Sequence, residues 1–326
     1  MKRVLINAPL AASDVRRLRA EAEVVGIDEG EISQRIENYI PFEGMIASAV
    51  ISLDGTLMDR LSQLQVVGRL GTGVDNVDLE AATQRGIVVV HTPGAPTQST
   101  AEHAVALLYS LVKDMVFQDQ QLKNGNWDVR HEHIGRELSA MTMGFVGLGR
   151  IGRRVAEILR PLQLRMLAFD PYVESDVPAQ VGVELVESLD ELLPIVDIVS
   201  IHVPLSDETH KLIGREALAR MKPRAVLINT ARGGVVDEQA LIEALRSGSI
   251  AGAALDVFDP EPPEANNPLF SMENVVLTPH RAFYTQEGLA RLSKVVVDQT
   301  LKALRGEHPD YIANPGVWSH ALCRRQ

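Results

Sequence analysis

The stretch of residues 142–170 constrains the fold of this chain more than any other. It begins with a short apolar run of strand character, which leads directly into Gly147-Leu148-Gly149-Arg150-Ile151-Gly152. Apolar residues then recur at i, i+4, i+7 and i+8, a spacing that marks one buried face of a helix. A second apolar run follows and ends in Asp170. Strand, glycine-rich turn, helix, strand and terminal acid in this order predict a βαβ unit that binds a dinucleotide.

Each glycine of this turn has a physical task. Gly147 permits the tight turn, Gly149 lets the backbone approach a pyrophosphate, and Gly152 lets the helix lie close to the strand. The unpaired N–H groups at the start of the helix then face the phosphates. Asp170 follows Gly152 at about the 20-residue spacing at which a carboxylate accepts hydrogen bonds from the adenosine ribose. The same carboxylate repels a 2′-phosphate, and Pro171-Tyr172 supplies no arginine to receive one, so the pattern predicts NAD rather than NADP.

Length, charge and cysteine content exclude several classes of protein. The chain has 326 residues, enough for two domains with separate cores. A net charge of -11 argues against a nucleic acid or an anionic membrane as a partner. The single cysteine, Cys323, allows no internal disulfide, and no stretch approaches the ~18 apolar residues of a membrane span. The apolar run after Met1 is too short for a signal peptide and predicts a first strand, so we expect a cytoplasmic protein.

Short apolar runs alternate with helical patterns along the chain, which predicts parallel sheets covered by helices on both faces. The predicted strands are residues 4–7, 23–27, 45–52, 65–70, 87–91, 142–146, 164–169, 196–203, 225–230, 252–258 and 275–278. The predicted helices include residues 14–22, 31–39, 57–64, 79–85, 100–115 and 286–305, and residues 116–140 are predicted to be irregular. Thr100 is a candidate cap for the long apolar helix that follows it.

The two predicted sheets indicate two doubly wound α/β domains. Pro93-Gly94-Ala95-Pro96 interrupts the alternation and predicts a linker. Residues 100–282 supply the second sheet, and the last long helix is expected to fold back on the first. We therefore predict a Rossmann NAD-binding domain at 100–282, inserted into a flavodoxin-like substrate domain made of residues 1–99 and 283–326, with a cleft between them.

Polar residues cluster where the predicted strands end, the edge at which open α/β sheets bind ligands. Three clusters in the second domain are residues 229–234, 256–263 and 278–280, and one in the first domain is 69–76. Together they supply a fixed cation, a carboxylate, an imidazole and a glycine-rich loop. Hydride transfer to a 2-keto acid needs such a set, because a cation must polarise the carbonyl, an acid must protonate the alkoxide, and N–H donors must bind the carboxylate.

In order and over nearly the whole chain, these clusters resemble the motifs of the D-isomer-specific 2-hydroxyacid dehydrogenases. The matching segments are Gly71-Thr72-Gly73-Val74-Asp75-Asn76-Val77-Asp78, Gly147-Leu148-Gly149-Arg150-Ile151-Gly152, His202-Val203-Pro204-Leu205, Ala231-Arg232-Gly233-Gly234, Asp256-Val257-Phe258 and Thr278-Pro279-His280. The resemblance implies an NAD-dependent oxidoreductase that interconverts a small 2-keto acid and its D-2-hydroxy acid. It also implies a homodimer whose two-domain subunits close on their ligands.

The resemblance assigns roles to individual residues. It implies that Arg232 polarises the substrate carbonyl and that His280 is the general acid in reduction and the base in oxidation. Glu261 would hydrogen-bond His280 and keep it protonated near neutral pH. The residues implied at the substrate are Arg69, Thr72, Gly73, Arg232 and His280. Those implied at the cofactor are Thr72, Thr100, Gly147, Gly149, Arg150, Ile151, Gly152, Asp170, His202, Val203, Pro204, Thr209, Thr230, Ala231, Asp256 and Ala282. Asp256 is expected at the nicotinamide carboxamide.

Two departures from the family pattern reduce the range of expected substrates. Members that act on phosphohydroxypyruvate carry a phosphate-binding arginine at the end of a first-domain strand, and residues 49–53 contain none. This argues against a phosphoglycerate dehydrogenase, although residues 71–78 are similar to that branch. Residues 280–285 instead resemble the D-lactate dehydrogenase and C-terminal-binding-protein branches. Arg281 could recognise a second acidic group, but a solvated or ion-paired side chain is the simpler interpretation.

Other functions stay open on the sequence alone. An NAD(H)-sensing protein similar to the C-terminal-binding proteins would use the same fold to report redox state through dimerisation. A methyltransferase fits less well, because the arginine, glutamate and histidine of the site would then share no task. His131 and His133 lack a third ligand, so we predict no metal. We interpret His103, on the long apolar helix, as a packing or interface residue.

Overall fold

The computed structural model of the protein describes residues 1–26, 36, 41–49, 51–131 and 134–319. The helix predicted at 31–39 (apart from residue 36), His133 and Cys323 lie outside the described residues. The chain divides into two compact units, one made of residues 1–96 and 284–326 and the other of residues 97–283. No helix in the described ranges is long and apolar enough to cross a membrane.

The strands and helices named below are numbered in chain order within the described ranges. The strands are β1 (Arg3–Asn7), β2 (Glu23–Gly26), β3 (Gly44–Ala47), β4 (Val66–Arg69), β5 (Val88–Val90), β6 (Thr142–Val146), β7 (Arg165–Phe169), β8 (Glu184–Leu185), β9 (Ile198–Ile201), β10 (Val226–Asn229), β11 (Gly252–Leu255) and β12 (Val275–Leu277). The α-helices are α1 (Ala12–Glu21), α2 (Gly55–Arg60), α3 (Leu79–Gln84), α4 (Thr97–Val112), α5 (Met115–Lys123), α6 (Arg150–Leu159), α7 (Val177–Val181), α8 (Leu189–Leu192), α9 (Arg215–Arg220), α10 (Glu238–Ser247) and α11 (Gln286–Leu304).

The first unit is built on a sheet whose described strands run parallel in the order β2-β1-β3-β4-β5. This order is the flavodoxin-like arrangement. Helix α11 begins after Thr285, whose hydroxyl accepts a hydrogen bond from the Gly288 N–H at 2.9 Å. It buries Leu292, Val296 and Leu301 and packs on β3 and β4. The helix therefore covers one face of a sheet made by the other end of the chain.

The second unit is built on a parallel sheet whose described strands lie in the order β12-β11-β10-β9-β6-β7-β8. Successive residues of its strands enter different cores. Leu227 and Leu255 belong to one cluster of buried side chains, and Ile228 and Ala254 belong to the other. Both faces of the sheet are thus covered by apolar packing, as parallel sheets require. The predicted class, two doubly wound parallel-sheet units, is confirmed.

Three details of the predicted elements are wrong. The strand predicted at 45–52 ends at Ala47, and the helix predicted to start after a Thr100 cap begins at Thr97, with Thr100 buried in its first turns. Residues 116–140 are not wholly irregular, because α5 begins at Met115. That helix follows Asp114, which has a left-handed φ of 56°, and none of its residues is buried, so it carries no apolar periodicity to detect.

Candidate active site

The glycine-rich turn lies where the strand order of the second sheet reverses, between β6 and β9. Gly147 follows β6 with φ of 92°. A Cβ at this position would lie 2.8 Å from Val203 Cγ1 and 2.9 Å from the His202 carbonyl oxygen. Both the backbone angle and the close approach therefore demand glycine. The turn and the loop after β9 pack directly together at the switch point, where doubly wound sheets bind their ligands.

Helix α6 presents its N-terminus at this switch point. Gly149 is the N-cap residue, with no side-chain cap on the helix within the described part of the chain. Arg150, Ile151 and Gly152 form the first turn, and a Cβ on Gly152 would lie 2.7 Å from the Gly147 carbonyl oxygen. The first N–H groups of the helix are thus available to an anion, and the dipole of the helix favours negative charge there. This arrangement fits the pyrophosphate of a dinucleotide.

Asp170, at the end of β7, is tied to the same turn. Its carboxylate accepts a hydrogen bond from the Leu148 N–H at 2.7 Å and another from the Tyr172 N–H at 2.9 Å. The first bond closes the glycine-rich turn against the neighbouring strand. Asp170 therefore has a structural task in addition to the ribose contact predicted from the sequence.

The loop after β9 begins with a half-buried imidazole. The His202 ring hydrogen-bonds Ser200 Oγ at 2.9 Å and lies with its centroid 5.9 Å from that of Phe145. Burial lowers the pKa of His202 to about 4, so the ring is neutral near pH 7. Further along, Thr209 Oγ1 donates to the Pro204 carbonyl at 2.6 Å and accepts from the Ser206 N–H at 2.8 Å. This hydroxyl fastens its own loop.

The depressed pKa of His202 predicts a pH-dependent stability. Between pH 6.5 and 4 the unfolded chain binds a proton at this residue and the folded protein does not, so the folded state loses stability as the pH falls through that window. We expect His202 to contribute up to about 3 kcal/mol to this loss.

Urea unfolding of the wild type and of His202→Gln at pH 4.0 to 7.0 measures this contribution, because the variant lacks this part of the pH dependence. His210→Gln, at an exposed position, serves as the control. Parallel pH profiles for the wild type and His202→Gln would contradict the assignment.

Three neighbouring strands of the second sheet end beside one another. Strands β10, β11 and β12 are adjacent and parallel, with Asn229 paired to Leu255 and Leu255 to Leu277. Adjacent strands lie ~4.8 Å apart, so the ends of β10 and β12 are about 10 Å apart. The predicted polar clusters follow these three ends. The sheet thereby places their loops along one edge.

The third of these loops carries a histidine paired with a carboxylate. His280 Nδ1 lies 2.7 Å from Glu261 Oε2, and Glu261 Oε1 accepts the Phe258 N–H at 2.9 Å. Because a carboxylate accepts, Nδ1 carries the hydrogen, and Nε2 is left for another partner. The two side chains are 27% and 31% exposed, so solvent or a ligand can reach them. His280 has a left-handed φ of 51°, uncommon for a residue other than glycine.

The loop that carries Arg232 packs against the loop that carries Glu261. The Asn229 side-chain amide donates to the Arg232 carbonyl at 2.8 Å, and Arg232 Nη1 donates to the Ala231 carbonyl at 2.7 Å. A Cβ on Gly233, the next residue, would overlap the carbonyl of Phe258. The structure therefore brings the arginine loop and the glutamate loop into contact.

Several residues implied at the cofactor have buried side chains. They are Thr100, Thr230, Asp256 and Ala282, all less than 9% exposed. Asp256 is fully buried, and it accepts hydrogen bonds from the N–H groups of Arg281 and Ala282 at 2.8 Å each. Both carboxylate oxygens of Asp256 thus accept hydrogen bonds from the protein, and the contact to the nicotinamide carboxamide stays a prediction from the sequence.

Two residues to which we assigned no chemistry also contact this network. His103 Nε2 lies 2.9 Å from Thr278 Oγ1, and Thr278 Oγ1 donates to Asp256 Oδ1 at 2.6 Å. The only signal in the sequence is the polar pair Glu102-His103 within an otherwise apolar helix. Such a pair is compatible with packing as well, so the sequence does not distinguish the two.

The glycine-rich loop of the first unit follows β4. Arg69 is 4% exposed, and its guanidinium donates to Asn76 Oδ1 at 2.9 Å and to the Leu70 carbonyl. The Thr72 carbonyl hydrogen-bonds His91 Nδ1 at 2.8 Å. Thr72 is exposed and Gly73 is partly exposed. The buried Arg69 side chain thus stabilises the loop through its hydrogen bonds, while Thr72 and Gly73 lie at the surface of the unit.

No group of three or more His, Cys, Asp or Glu side chains that could hold a metal ion occurs among the described residues. His133, which the sequence analysis paired with His131, lies outside the described residues.

Comparison with known proteins places the second unit in a family. Residues 105–282 match the model of the D-isomer specific 2-hydroxyacid dehydrogenase NAD binding domain. The chain is 38% identical over 305 residues to a D-3-phosphoglycerate dehydrogenase of Archaeoglobus fulgidus, covering 93% of this chain and 58% of that protein. It is 39% identical to a glyoxylate reductase of Korarchaeum cryptofilum, covering 89% of each. The crystal structure of D-lactate dehydrogenase from Aquifex aeolicus, complexed with NAD and lactic acid, is 30% identical with a TM-score of 0.83, covering 94% of this chain and 96% of that one.

The chain therefore belongs to the D-isomer specific 2-hydroxyacid dehydrogenase family. The family resemblance predicted from the sequence is confirmed, and so is the assignment of NAD as the cofactor. The chain spans less than two thirds of the length of the phosphoglycerate dehydrogenases that it matches.

Proposed function

We propose that this protein is an NAD-dependent oxidoreductase that interconverts a small 2-keto acid and its D-2-hydroxy acid. The observation that carries the proposal is the 2.7 Å pair of His280 Nδ1 and Glu261 Oε2, on the same sheet edge as the loop of Arg232. An imidazole with a fixed tautomer supplies the proton, and a guanidinium supplies the positive charge, that reduction of a carbonyl needs. Both groups lie in the unit that carries the NAD-binding domain.

The bound cofactor supplies the hydride. Arg232 draws electron density from the carbonyl oxygen of the keto acid, which stabilises negative charge as the alkoxide forms. His280 donates the Nε2 proton to that oxygen in reduction and accepts it in oxidation. Glu261 holds the ring through Nδ1, so that Nε2 remains the nitrogen that exchanges the proton.

We infer that the loop after β4 binds the substrate carboxylate. Thr72 is exposed and Gly73 is partly exposed at the surface of the first unit, and the backbone N–H groups of such a glycine-rich loop are suitable donors to a carboxylate. Arg69 is buried and hydrogen-bonded to Asn76 Oδ1 and the Leu70 carbonyl, which supports a role in shaping the loop rather than direct contact with the substrate. Residues 1–96 with 284–326 would then be the substrate domain and residues 97–283 the cofactor domain.

We propose the contacts to NAD as follows. The N–H groups around Gly149, Arg150 and Ile151 bind the pyrophosphate, and Asp170 binds the ribose. His202, Val203 and Pro204, in the loop after β9, line the adenosine side, and Thr209 shapes that loop. The main chain around Thr230, Ala231 and Ala282 lies toward the nicotinamide.

Asp170→Ala is expected to relax the preference for NADH over NADPH by about tenfold. A carboxylate and a 2′-phosphate ~4 Å apart repel by at least ~1 kcal/mol even in water, and the variant removes that repulsion. The variant also loses the bond to the Leu148 N–H, so affinity for both cofactors should fall. The ratio of kcat/KM for the two cofactors is therefore the measurement. Asp170→Asn, which removes the charge and keeps an acceptor, should shift the ratio in the same direction, and an unaltered ratio in both variants would exclude the ribose contact.

The substrate is proposed to be a small keto acid without a phosphate. Strand β3 ends at Ala47, so the residue at the strand end is Ser48, whose hydroxyl donates to Asn7 Oδ1 at 3.2 Å. Neither residues 44–48 nor residues 49–53 contain an arginine to bind a phosphate. The identity to phosphoglycerate dehydrogenases supports D-3-phosphoglycerate as the second candidate.

A keto-acid screen with NADH tests the proposal. Glyoxylate, pyruvate, hydroxypyruvate and phosphohydroxypyruvate are compared by the loss of NADH absorbance. Turnover of one of the first three at kcat/KM well above that for phosphohydroxypyruvate is the expected result, and the reverse order selects the second candidate. Stoichiometric NADH binding without turnover of any keto acid would favour a cofactor-sensing protein and reject the enzyme.

We propose that the protein is a homodimer. Helix α5 has no buried residue, and its Met115 and Leu122 are each 55% exposed. Ile134, close by in sequence, is 89% exposed. Apolar side chains at such exposure are typical of surfaces that a partner covers. Sedimentation equilibrium measures the mass directly, and a monomer at micromolar concentration would reject the proposal. The cytoplasmic location stays a prediction from the sequence.

A further inference from the structure

The turn that begins at His280 is hydrogen-bonded to Asp256, whose side chain is fully buried. Asp256 Oδ1 accepts hydrogen bonds from Thr278 Oγ1 at 2.6 Å and from the Arg281 N–H at 2.8 Å. Asp256 Oδ2 accepts the Ala282 N–H at 2.8 Å, and the Asp256 carbonyl accepts the His280 N–H at 2.7 Å. One residue thus binds three consecutive N–H groups of the turn that begins at His280.

The direction of each hydrogen bond in this network follows from the charge of Asp256. Burial acts to raise the pKa of Asp256, but the His103 ring, whose Nε2 also lies 3.5 Å from Asp256 Oδ1, and the hydrogen bonds from Thr278 and the two N–H groups together hold the pKa below its usual value. The carboxylate is therefore ionised near neutral pH and only accepts. The one hydroxyl hydrogen of Thr278 goes to Asp256, so Thr278 Oγ1 must accept from His103. His103 consequently carries its hydrogen on Nε2.

The backbone that this network holds is conformationally costly. His280 has φ of 51°, in the left-handed region that residues other than glycine adopt only uncommonly. Such a conformation persists only where the surrounding structure determines it. The hydrogen bonds that the Asp256 carbonyl and carboxylate accept supply that restraint, in addition to the bond between His280 Nδ1 and Glu261.

We propose that His103 and Thr278 are positioning residues, which hold Asp256 as a clamp on the Arg281 and Ala282 N–H groups and so keep the His280 imidazole in register with Glu261. The inference rests on the proposed function, in which His280 exchanges the proton with the substrate. The chain of contacts runs from His103 on α4 through Thr278 to Asp256, and from there to the turn that holds the general acid. Loss of any member displaces the imidazole without removing it.

The decisive pair of variants is Thr278→Val and Thr278→Ser. Valine has nearly the shape of threonine but lacks the hydroxyl, so it breaks both bonds, whereas serine keeps them. We expect Thr278→Val to lower kcat at least about tenfold with KM for NADH changed less than about threefold, since misplacing a catalytic group by ~1 Å can cost 10²-fold. Thr278→Ser should stay within about threefold of the wild type. His103→Leu and His103→Gln form a second pair, in which glutamine can restore a donor near the position of Nε2.

Histidine NMR of the full chain without cofactor separates this proposal from the proposed function. The ring signals of His280, assigned by their loss in His280→Gln, should broaden or split in Thr278→Val and remain single in Thr278→Ser. If the wild type turned over no keto acid, the enzyme assignment would fail, and these spectra would still test the clamp. Wild-type kcat and unchanged His280 signals in Thr278→Val would overturn the proposal, as would equal impairment of the valine and serine variants.

Discussion

Replacing His280 with alanine is expected to lower kcat by about 10²- to 10⁴-fold, because a positioned general acid contributes a factor of that size. The NADH dissociation constant should change little, since the proposed contacts to the cofactor come mainly from the glycine-rich turn and the loop after β9. Steady-state reduction of the best keto acid gives kcat, and fluorescence titration of NADH gives the dissociation constant. A variant with wild-type kcat would remove the acid–base assignment.

Glu261 and Glu264, two acidic residues of the same loop, allow the role of the Glu261 charge to be tested against a matched control. Glu261→Gln keeps a hydrogen-bond acceptor for His280 Nδ1 but removes the negative charge, so we expect a loss of kcat smaller than that of the alanine variant at His280. Glu264 lies three residues further on in an exposed part of the loop. Glu264→Gln should retain kcat within about twofold, as surface substitutions usually do. Equal losses of kcat in the two glutamine variants would indicate that the net charge of the loop matters and that the bond from His280 to Glu261 does not.

Arg232→Ala is expected to lower kcat by about 10²-fold and to raise KM for the keto acid at the same time. The guanidinium is proposed to act on the carbonyl in the transition state, and removal of one such group typically costs 10²- to 10³-fold. It is also proposed to bind the substrate in the ground state, which accounts for the higher KM. An effect confined to the affinity for NADH would contradict both roles.

Arg232→Lys tests whether geometry or charge is responsible. Lysine keeps the positive charge but offers a single ammonium in place of the planar guanidinium fork. The bond from Arg232 Nη1 to the Ala231 carbonyl also fixes the orientation of the present side chain. We expect the lysine variant to recover part of the affinity for the keto acid and little of kcat. Full recovery of kcat would mean that charge alone is enough.

The sequence predicts best those features that depend on neighbouring residues. The βαβ unit from β6 to β7 is found with its glycines and Asp170 as predicted, because strand, turn and helix signals act over a few residues. The cap of α8 is equally local, because the Ser188 hydroxyl accepts the N–H of Glu191, three residues further on, at 3.2 Å. The ends of the elements are predicted less accurately. Strand β3 stops at Ala47 although the apolar residues Val50 and Ile51 follow, since a continued apolar run does not itself mark the end of a strand.

Features that depend on tertiary structure could not be predicted. His103 and Thr278 are separated by 175 positions, and their contact exists only because α4 packs beside β12. The burial of Arg69 is similar: the motif places an arginine before the glycine-rich loop, but only the fold turns its guanidinium inward to Asn76. In both cases the sequence identifies the residue type, but local patterns do not determine what surrounds the side chain.

The composition of the first unit from two separate stretches has a consequence for biosynthesis. The Lys2 ammonium donates to the Leu304 carbonyl at 2.6 Å, and Val90 pairs with Ile312, so the early strands are completed by a segment that is translated after the whole second unit. On a translating ribosome, the second unit has all of its own residues before the first does. Strands β1 to β5 are therefore synthesised before α11, the helix that covers one of their faces.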